Sequence, residues 1–368
     1  MGKIIKISKS IRGFFFLCFF SLMSCEYKKE WSMSVSAPQH YGATIEAQYY
    51  LGEELLAAIK GAGSPGWGLG TDGLTMGEHD KKPIPDRVKI HCYSAREGVN
   101  YTADIPLPKK KMEELFKKTI NDTVSWGEDE TKVIDNSLFD IMCGCAPGGE
   151  IVIWLSNGKQ LEEVTRVKGK EINRENQQQR EAYFNNKSPK EQEWITNNPI
   201  PYGTWDKYDK EFLWKPVILA DTNNLIHPGN GFMIHYVNGT YEEITSWAYD
   251  NFGENNKELT YPTPKNWEEI IKYNFIKTKK RSIPYYVKIQ WTPLNDESIE
   301  AEVLLPVKQL KLLFEEGYVT KNKKRKFTKL VFDVKNDKMV KIWLIGDDGN
   351  KVFIKEVKGD YLNYGQNN

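Results

Sequence analysis

The feature that most constrains the fold is that the chain states one pattern twice. Residues 84–118 read IPDRVKIHCYSAREGVNYTADIPLPKKKMEELFKK, and residues 283–316 read IPYYVKIQWTPLNDESIEAEVLLPVKQLKLLFEE. Each stretch opens with Ile-Pro and runs through Val-Lys-Ile in an alternating, strand-like pattern. Each then passes a second strand to reach Leu-Pro, at Leu107-Pro108 and Leu305-Pro306. The matched positions Met112, Leu115, Phe116 and Leu310, Leu313, Phe314 follow i, i+3, i+4 spacing, one face of a helix. Pro108 and Pro306 suit the first helical turn, where a missing N–H leaves nothing unsatisfied.

The match resumes downstream. Ile151-Val152-Ile153-Trp154-Leu155 pairs with Val340-Lys341-Ile342-Trp343-Leu344, and both stretches close on Val-Lys-Gly, at Val167 to Gly169 and Val357 to Gly359. Each reads as a hairpin; Asn157-Gly158 can supply the positive φ angles of a two-residue turn. The expectation is an α+β fold of two related β-β-α-β-β lobes, each an antiparallel sheet packed against a helix. The expected boundaries are 25–172 for the first lobe, 173–225 for a polar linker and 226–368 for the second lobe. Within the linker, Ser188-Pro189-Lys190-Glu191 is a capping box that predicts a short helix. Phe232 to Val237, Asn238-Gly239 and Thr240 to Ile244 predict a hairpin, and Thr263-Pro264 predicts a helix carrying Trp267, Ile270 and Ile271. Trp31 to Ser36 alternates like a strand and is set provisionally against Phe232 to Val237.

The N-terminus decides location. Lys3, Lys6, Lys9 and Arg12 precede an apolar run from Phe14 to Met23, too short to span a bilayer and suited to a signal peptide over residues 1–24. Leu22-Met23-Ser24-Cys25 resembles a bacterial lipobox, which makes Cys25 the acylated first residue of the mature chain. Loss of residues 1–24, with four basic and no acidic residues, moves the formal charge from +1 to −3. That balance leaves no electrostatic footprint for nucleic acid. The expected partners are the lipid bilayer, through Cys25, and a protein or glycan in the envelope. The expected place is the outer membrane, facing the periplasm or the surface.

Three cysteines remain in an oxidising compartment. Cys143 and Cys145 share a strand face, so Cys92 can bond either one, with Cys143 noted as a candidate, or all three stay buried thiols. His40, His79, His91, His227 and His235 are scattered, and no metal site or cofactor is expected.

Several of these pieces together resemble a known family. They are the lipobox, Trp31 with Ala37-Pro38, the Gly66-Trp67-Gly68 loop, the helix-opening Leu-Pro, and Gly148-Gly149-Glu150 leading into Ile151 to Leu155. The combination resembles a bacterial lipoprotein family, domain of unknown function 2931. The resemblance implies a secreted, anchored α+β protein and carries no catalytic residues with it.

The search for chemistry returns little. The Gly61 to Gly73 loop lacks the Gly-Lys-Ser/Thr ending of a phosphate cradle, and no Gly-x-Ser-x-Gly elbow occurs. Glu128-Asp129-Glu130 and Asp347-Asp348-Gly349-Asn350 lack calcium-loop spacing. Lys321 to Lys326, KNKKRK, reads as a solvated loop, with anionic lipid as a lesser alternative. Trp67, Trp154 and Trp343 are the candidate ligand contacts, as sugar-stacking platforms, against the plainer reading that they pack in the core. The expectation is a non-catalytic envelope binding protein. The alternatives are a glycan- or peptidoglycan-active enzyme and a toxin-blocking immunity lipoprotein.

Overall fold

A computed structural model describes residues 27–63, 66–77, 81–118, 121–126, 130–135, 137–158, 160–207, 210–220, 224–226, 232–243, 278–293, 297–335 and 337–362. Cys25 and the helix expected after Thr263 lie outside the described residues. The described structure is mostly β, with antiparallel sheets and four helices that make up 14% of it. It is therefore less helical than the expected α+β mix.

In the first half, the strand Ser32–Ser36 lies parallel to Asp140–Ala146, which pairs antiparallel with Glu150–Ser156 and then Leu161–Lys168. A second sheet runs Lys170–Arg174, Val99–Pro106, Arg87–Ser94, Ala43–Leu51, Glu54–Gly63 and Leu74–Met76. The second half follows the same order. Phe212–Ala220 lies parallel to Phe327–Val334, which pairs with Met339–Gly346 and then Lys351–Lys358. Its other sheet runs Tyr241–Glu243, Phe232–Tyr236, Pro284–Pro293, Ile299–Leu304 and Asp360–Tyr361. The counterpart of Ser32–Ser36 is thus Phe212–Ala220, and not the Phe232 strand, which occupies the place of Ala43–Leu51.

The Pro-led helices form as the spacing predicts, over Lys109–Lys117 and Val307–Glu316, burying Met112 and Phe116 in one and Val307, Leu310 and Phe314 in the other. The hairpin of Phe232–Tyr236 with Tyr241–Glu243 also forms.

Two strands decide how the halves meet. Asp140–Ala146 and Glu150–Ser156 are buried at every position. Apart from the terminal Asp140, Glu150 and Ser156, both runs are apolar because both faces are covered, as in a central layer. Ile141, Cys143, Cys145, Ile151, Ile153 and Leu155 point into the first half's core. Met142, Ala146, Val152 and Trp154, on the other face, join a core made mainly by the second half. The equivalent strand Met339–Gly346 alternates buried and half-buried residues, so its outer face stays open.

The connecting segment is more ordered than a polar linker. It forms helices Gln177–Asn185 and Pro189–Asn197, each with a complete capping box, at Asn176 with Gln179 and at Ser188 with Glu191. Arg180 ties them to the first half, donating to the carbonyls of Ala95 at 2.9 Å and Arg96 at 2.6 Å. Trp205, further on, is fully buried in the second core.

Cys92 bonds Cys145, closing a 53-residue separation, and Cys143 is a buried free thiol. The Cys92–Cys143 pairing is therefore corrected. The register explains the choice. Tyr49 reaches the carbonyl of Ile141 with its hydroxyl, and Cys92 sits opposite Ile45, four residues along. Four residues along the facing strand from Ile141 is Cys145. Burial pushes the Cys143 thiol up to about 12, so it packs as a small apolar group.

Candidate functional site

Both halves and the connecting helices meet around the loop that follows Glu54–Gly63. The loop first closes the edge of Ser32–Ser36: Val35 and Thr71 exchange backbone hydrogen bonds at 3.0 and 2.8 Å, and Gly68 N–H donates to Ser36 Oγ at 2.9 Å. Trp67 then crosses into the second half. Its ring packs edge-on against Trp154, centroids 4.8 Å apart. Its Nε1 donates to the Val237 carbonyl at 3.1 Å, and its backbone N–H donates to Tyr285 Oη at 3.1 Å. Gly68, at φ +82°, touches the backbone of Gly239, so neither a side chain nor an ordinary backbone conformation fits there. Gly144 leaves the space in which the two indoles meet.

These contacts place the three candidate tryptophans. Trp67 and Trp154 are fully buried against each other, and Trp154 only edges a second cleft beside Leu161 and Thr240. Trp343 is half-buried, edge-on to Phe353 at 5.1 Å, with the Lys351 ammonium 4.6 Å from its ring. The difference between the matched Trp154 and Trp343 follows from the sheet faces, since only the first half's outer face is covered. The three rings do not form one site.

Beside this joint lies a cleft of about 400 Å³. Gln39 and His40 line it from the first half, Glu302 from the second, and Lys187, Glu191 and Trp194 from the connecting helices. His40 holds φ +65°, a left-handed conformation that costs energy in a residue with a full side chain. Three groups fix it there. Its ring stacks on Trp194 at 4.2 Å, its Nε2 lies 2.8 Å from Glu302 Oε2, and Tyr286 flanks it edge-on. Tyr286 Oη in turn donates to Glu302 Oε1 at 2.9 Å. Burial pushes the Glu302 carboxyl up, but the His40 hydrogen bond and charge, the Tyr286 hydroxyl and Lys288 outweigh it. The net shift is below the usual carboxylate range. Burial and the Glu302 charge hold the Tyr286 phenol protonated.

Arg96, also in the cleft wall, donates from Nη2 to the carbonyls of Ile195 and Asn198, both at 2.9 Å, capping the end of the Pro189–Asn197 helix. Its guanidinium lies 5.7 Å from the Trp194 ring. The cleft thus presents fixed charges of both signs around an indole. Of the two lining residues with hydroxyls, Tyr183 and Ser188, Ser188 commits its Oγ to its capping box with Glu191. Sequence reasoning singled out none of His40, Arg96, Trp194 or Glu302 as a group. They come from four separate stretches, and only the Ser188 cap beside them had a local signature.

The family model described as "Protein of unknown function (DUF2931)" matches residues 22–203. Over that stretch the chain is similar to this family. The match takes in the first half and both connecting helices, and so contributes every cleft residue named above except Glu302. No curated protein and no solved structure matches the chain.

Proposed function

We propose that the protein is a lipid-anchored, non-catalytic binding protein of the bacterial envelope that holds a segment of a partner protein in the cleft beside Trp194. The observation that carries this reading is the set of mutually fixed groups, Arg96, Trp194, His40 and Glu302, around an opening of ligand-pocket size. A lining with both charge signs beside an aromatic suits a peptide more than a uniformly hydroxylated glycan chain. The lipobox at Leu22 to Cys25 supports the anchor, and ordered structure begins at once: the strand Lys28–Glu30 starts three residues after Cys25.

The two halves are further inferred to descend from one duplicated β-β-α-β-β unit, elaborated at both ends. Shared irregularities support this more than shared strands do. The hairpin register shifts between Ile153 and Trp154 in one half, and between Ile342 and Trp343 in the other. Both helices start after a proline with the same backbone conformation, at Pro108 and Pro306.

The test is capture from envelope extracts by the complete chain and its His40→Asn variant. Asparagine tolerates the left-handed backbone but removes the ring that stacks on Trp194. A stoichiometric protein retained by the natural chain and lost with His40→Asn is the expected result. Equal retention by both chains, or retention only of glycan, contradicts the reading.

A further inference from the structure

The KNKKRK run is not the solvated loop that its composition predicts. Tyr318–Thr320 and Lys323–Arg325 pair as an antiparallel ribbon, with Tyr318 opposite Arg325 and Thr320 opposite Lys323. Lys321 and Asn322 form the two-residue turn, at φ +46° and +60°. A turn with both central residues left-handed ordinarily takes Asn-Gly or Gly-Gly. A lysine there costs stability relative to glycine, so turn geometry does not explain the cation.

Among the remaining cations Lys326 has a clear structural task, and Arg325 lies close enough to Tyr318 and Asp348 to act on both electrostatically. Lys326 reaches back to the Phe314 and Glu315 carbonyls and closes the end of the Val307–Glu316 helix. Lys321, Lys323, Lys324 and Arg325 are exposed and make no hydrogen bond or ion pair among the described residues. Val319, opposite Lys324, is 73% exposed, an apolar residue standing out on the same ribbon. The fold does not require this charge. In the first half the corresponding ribbon, Asn121–Trp126 with Glu130–Asp135, carries Asp122, Glu130 and Asp135 and a single lysine, Lys132.

We propose that the Tyr318–Arg325 hairpin is a docking surface for anionic phospholipid and sets which face of the anchored protein meets the bilayer. The proposal rests on the anchored reading for its setting, since acylation at Cys25 keeps the hairpin near a membrane. Four exposed cations strung along a ribbon match a sheet of phosphate headgroups better than one small anion. The exposed Val319 suits the headgroup boundary. Each cation near such a surface adds a modest increment that salt screens.

The experiment uses the complete chain carrying Cys25→Ser, which cannot be acylated. It is sedimented with vesicles of phosphatidylcholine alone, or with 30% phosphatidylglycerol. Lys3, Lys6, Lys9 and Arg12 of the retained leader also favour anionic vesicles, so the hairpin's share is read by comparison with a variant that keeps the leader and alters only the hairpin. The expected result is tighter binding to the anionic vesicles, lost in 0.5 M salt. Lys323→Gln with Lys324→Gln is expected to reduce that increment about 30-fold, two cations at the usual increment per charge, while neutral-vesicle retention stays the same. These side chains are exposed and unpaired, so the variant folds, and its circular dichroism checks this. Equal binding to both vesicles overturns the proposal. So does an unchanged increment in the double variant, and so does displacement from vesicles by polyglutamate at matched charge, which assigns an acidic polypeptide instead. Failure of the anchored reading would show separately, as absence of acyl chains on natural Cys25, and leaves the vesicle result standing.

Discussion

Replacing Trp67 with alanine removes the side chain that joins the two halves, and the structure sets the size of the effect. The indole is fully buried and packs edge-on against Trp154 at 4.8 Å. Truncating a buried tryptophan costs about 3–5 kcal/mol in transfer and cavity terms. The lost Nε1 hydrogen bond also leaves the Val237 carbonyl unpaired beneath the loop, at about 1–3 kcal/mol. These terms overlap, and the combined loss is about 5 kcal/mol, comparable to the whole stability of many domains. The loss is not spread evenly. The first half keeps a core of its own, from Trp31 to Val164, held by the Cys92–Cys145 bond. The second core takes in Trp67 and Trp154 directly. Trp67→Ala should therefore unfold the second half first and split one calorimetric transition into two. Trp343→Ala, at the matched but half-buried position, should cost about 1–2 kcal/mol and leave one transition. A Trp67→Ala protein that melts in a single transition within about 1 kcal/mol of the natural chain refutes the reasoning.

Gly68→Ala forces a Cβ into the Gly239 backbone at a left-handed position and should cost about 3 kcal/mol by urea unfolding; a loss near zero means the two loops are not in contact. Reduction should destabilise the natural chain by about 4 kcal/mol on loop-closure grounds, and Cys145→Ser should abolish that sensitivity while Cys143→Ser keeps it. The reverse pattern would assign the bond to Cys143. Burial lowers the His235 imidazole from 6.5 to about 4. The unfolded chain then binds the extra proton first, so stability is full above pH 6.5 and falls as pH drops toward 4. That amounts to about 2 kcal/mol between pH 7 and 5. His235→Gln should flatten this slope in urea titrations, and an unchanged slope would locate the effect elsewhere.

The helix signals held where the structure describes them, and the long-range signals were the hard part. The Asn157-Gly158 turn did not form as read, because only Gly158 takes a positive φ and residues 157–160 lie between the paired Ser156 and Leu161. Leu-Pro followed by Met112 and Phe116, or by Leu310 and Phe314, specifies a helix within a dozen residues, and Ser188 to Glu191 specifies a cap within four. By contrast, Ser32–Ser36 pairs with Asp140–Ala146 more than a hundred residues away, and parallel pairing leaves no turn signature to read. That is why its counterpart, Phe212–Ala220, was missed and the Phe232 strand stood in its place. The apolar run Ile151 to Leu155 announces a strand, but periodicity alone does not say that both faces are covered. Burial of Trp154 and partial exposure of Trp343 therefore could not be told apart. The Lys321–Asn322 turn escaped because its residues are not those that left-handed turns ordinarily use. The cleft was invisible for a related reason: His40, Arg96, Trp194 and Glu302 become neighbours only when the halves dock.

The most direct test of an anchored binding protein is the chemistry of the mature N-terminus, read by mass spectrometry on chain extracted from membranes. The account predicts a first residue at Cys25 carrying thioether-linked diacylglycerol, with Cys25→Ala releasing the chain from the membrane. A mature chain that begins elsewhere, or an unmodified Cys25 thiol, would contradict it.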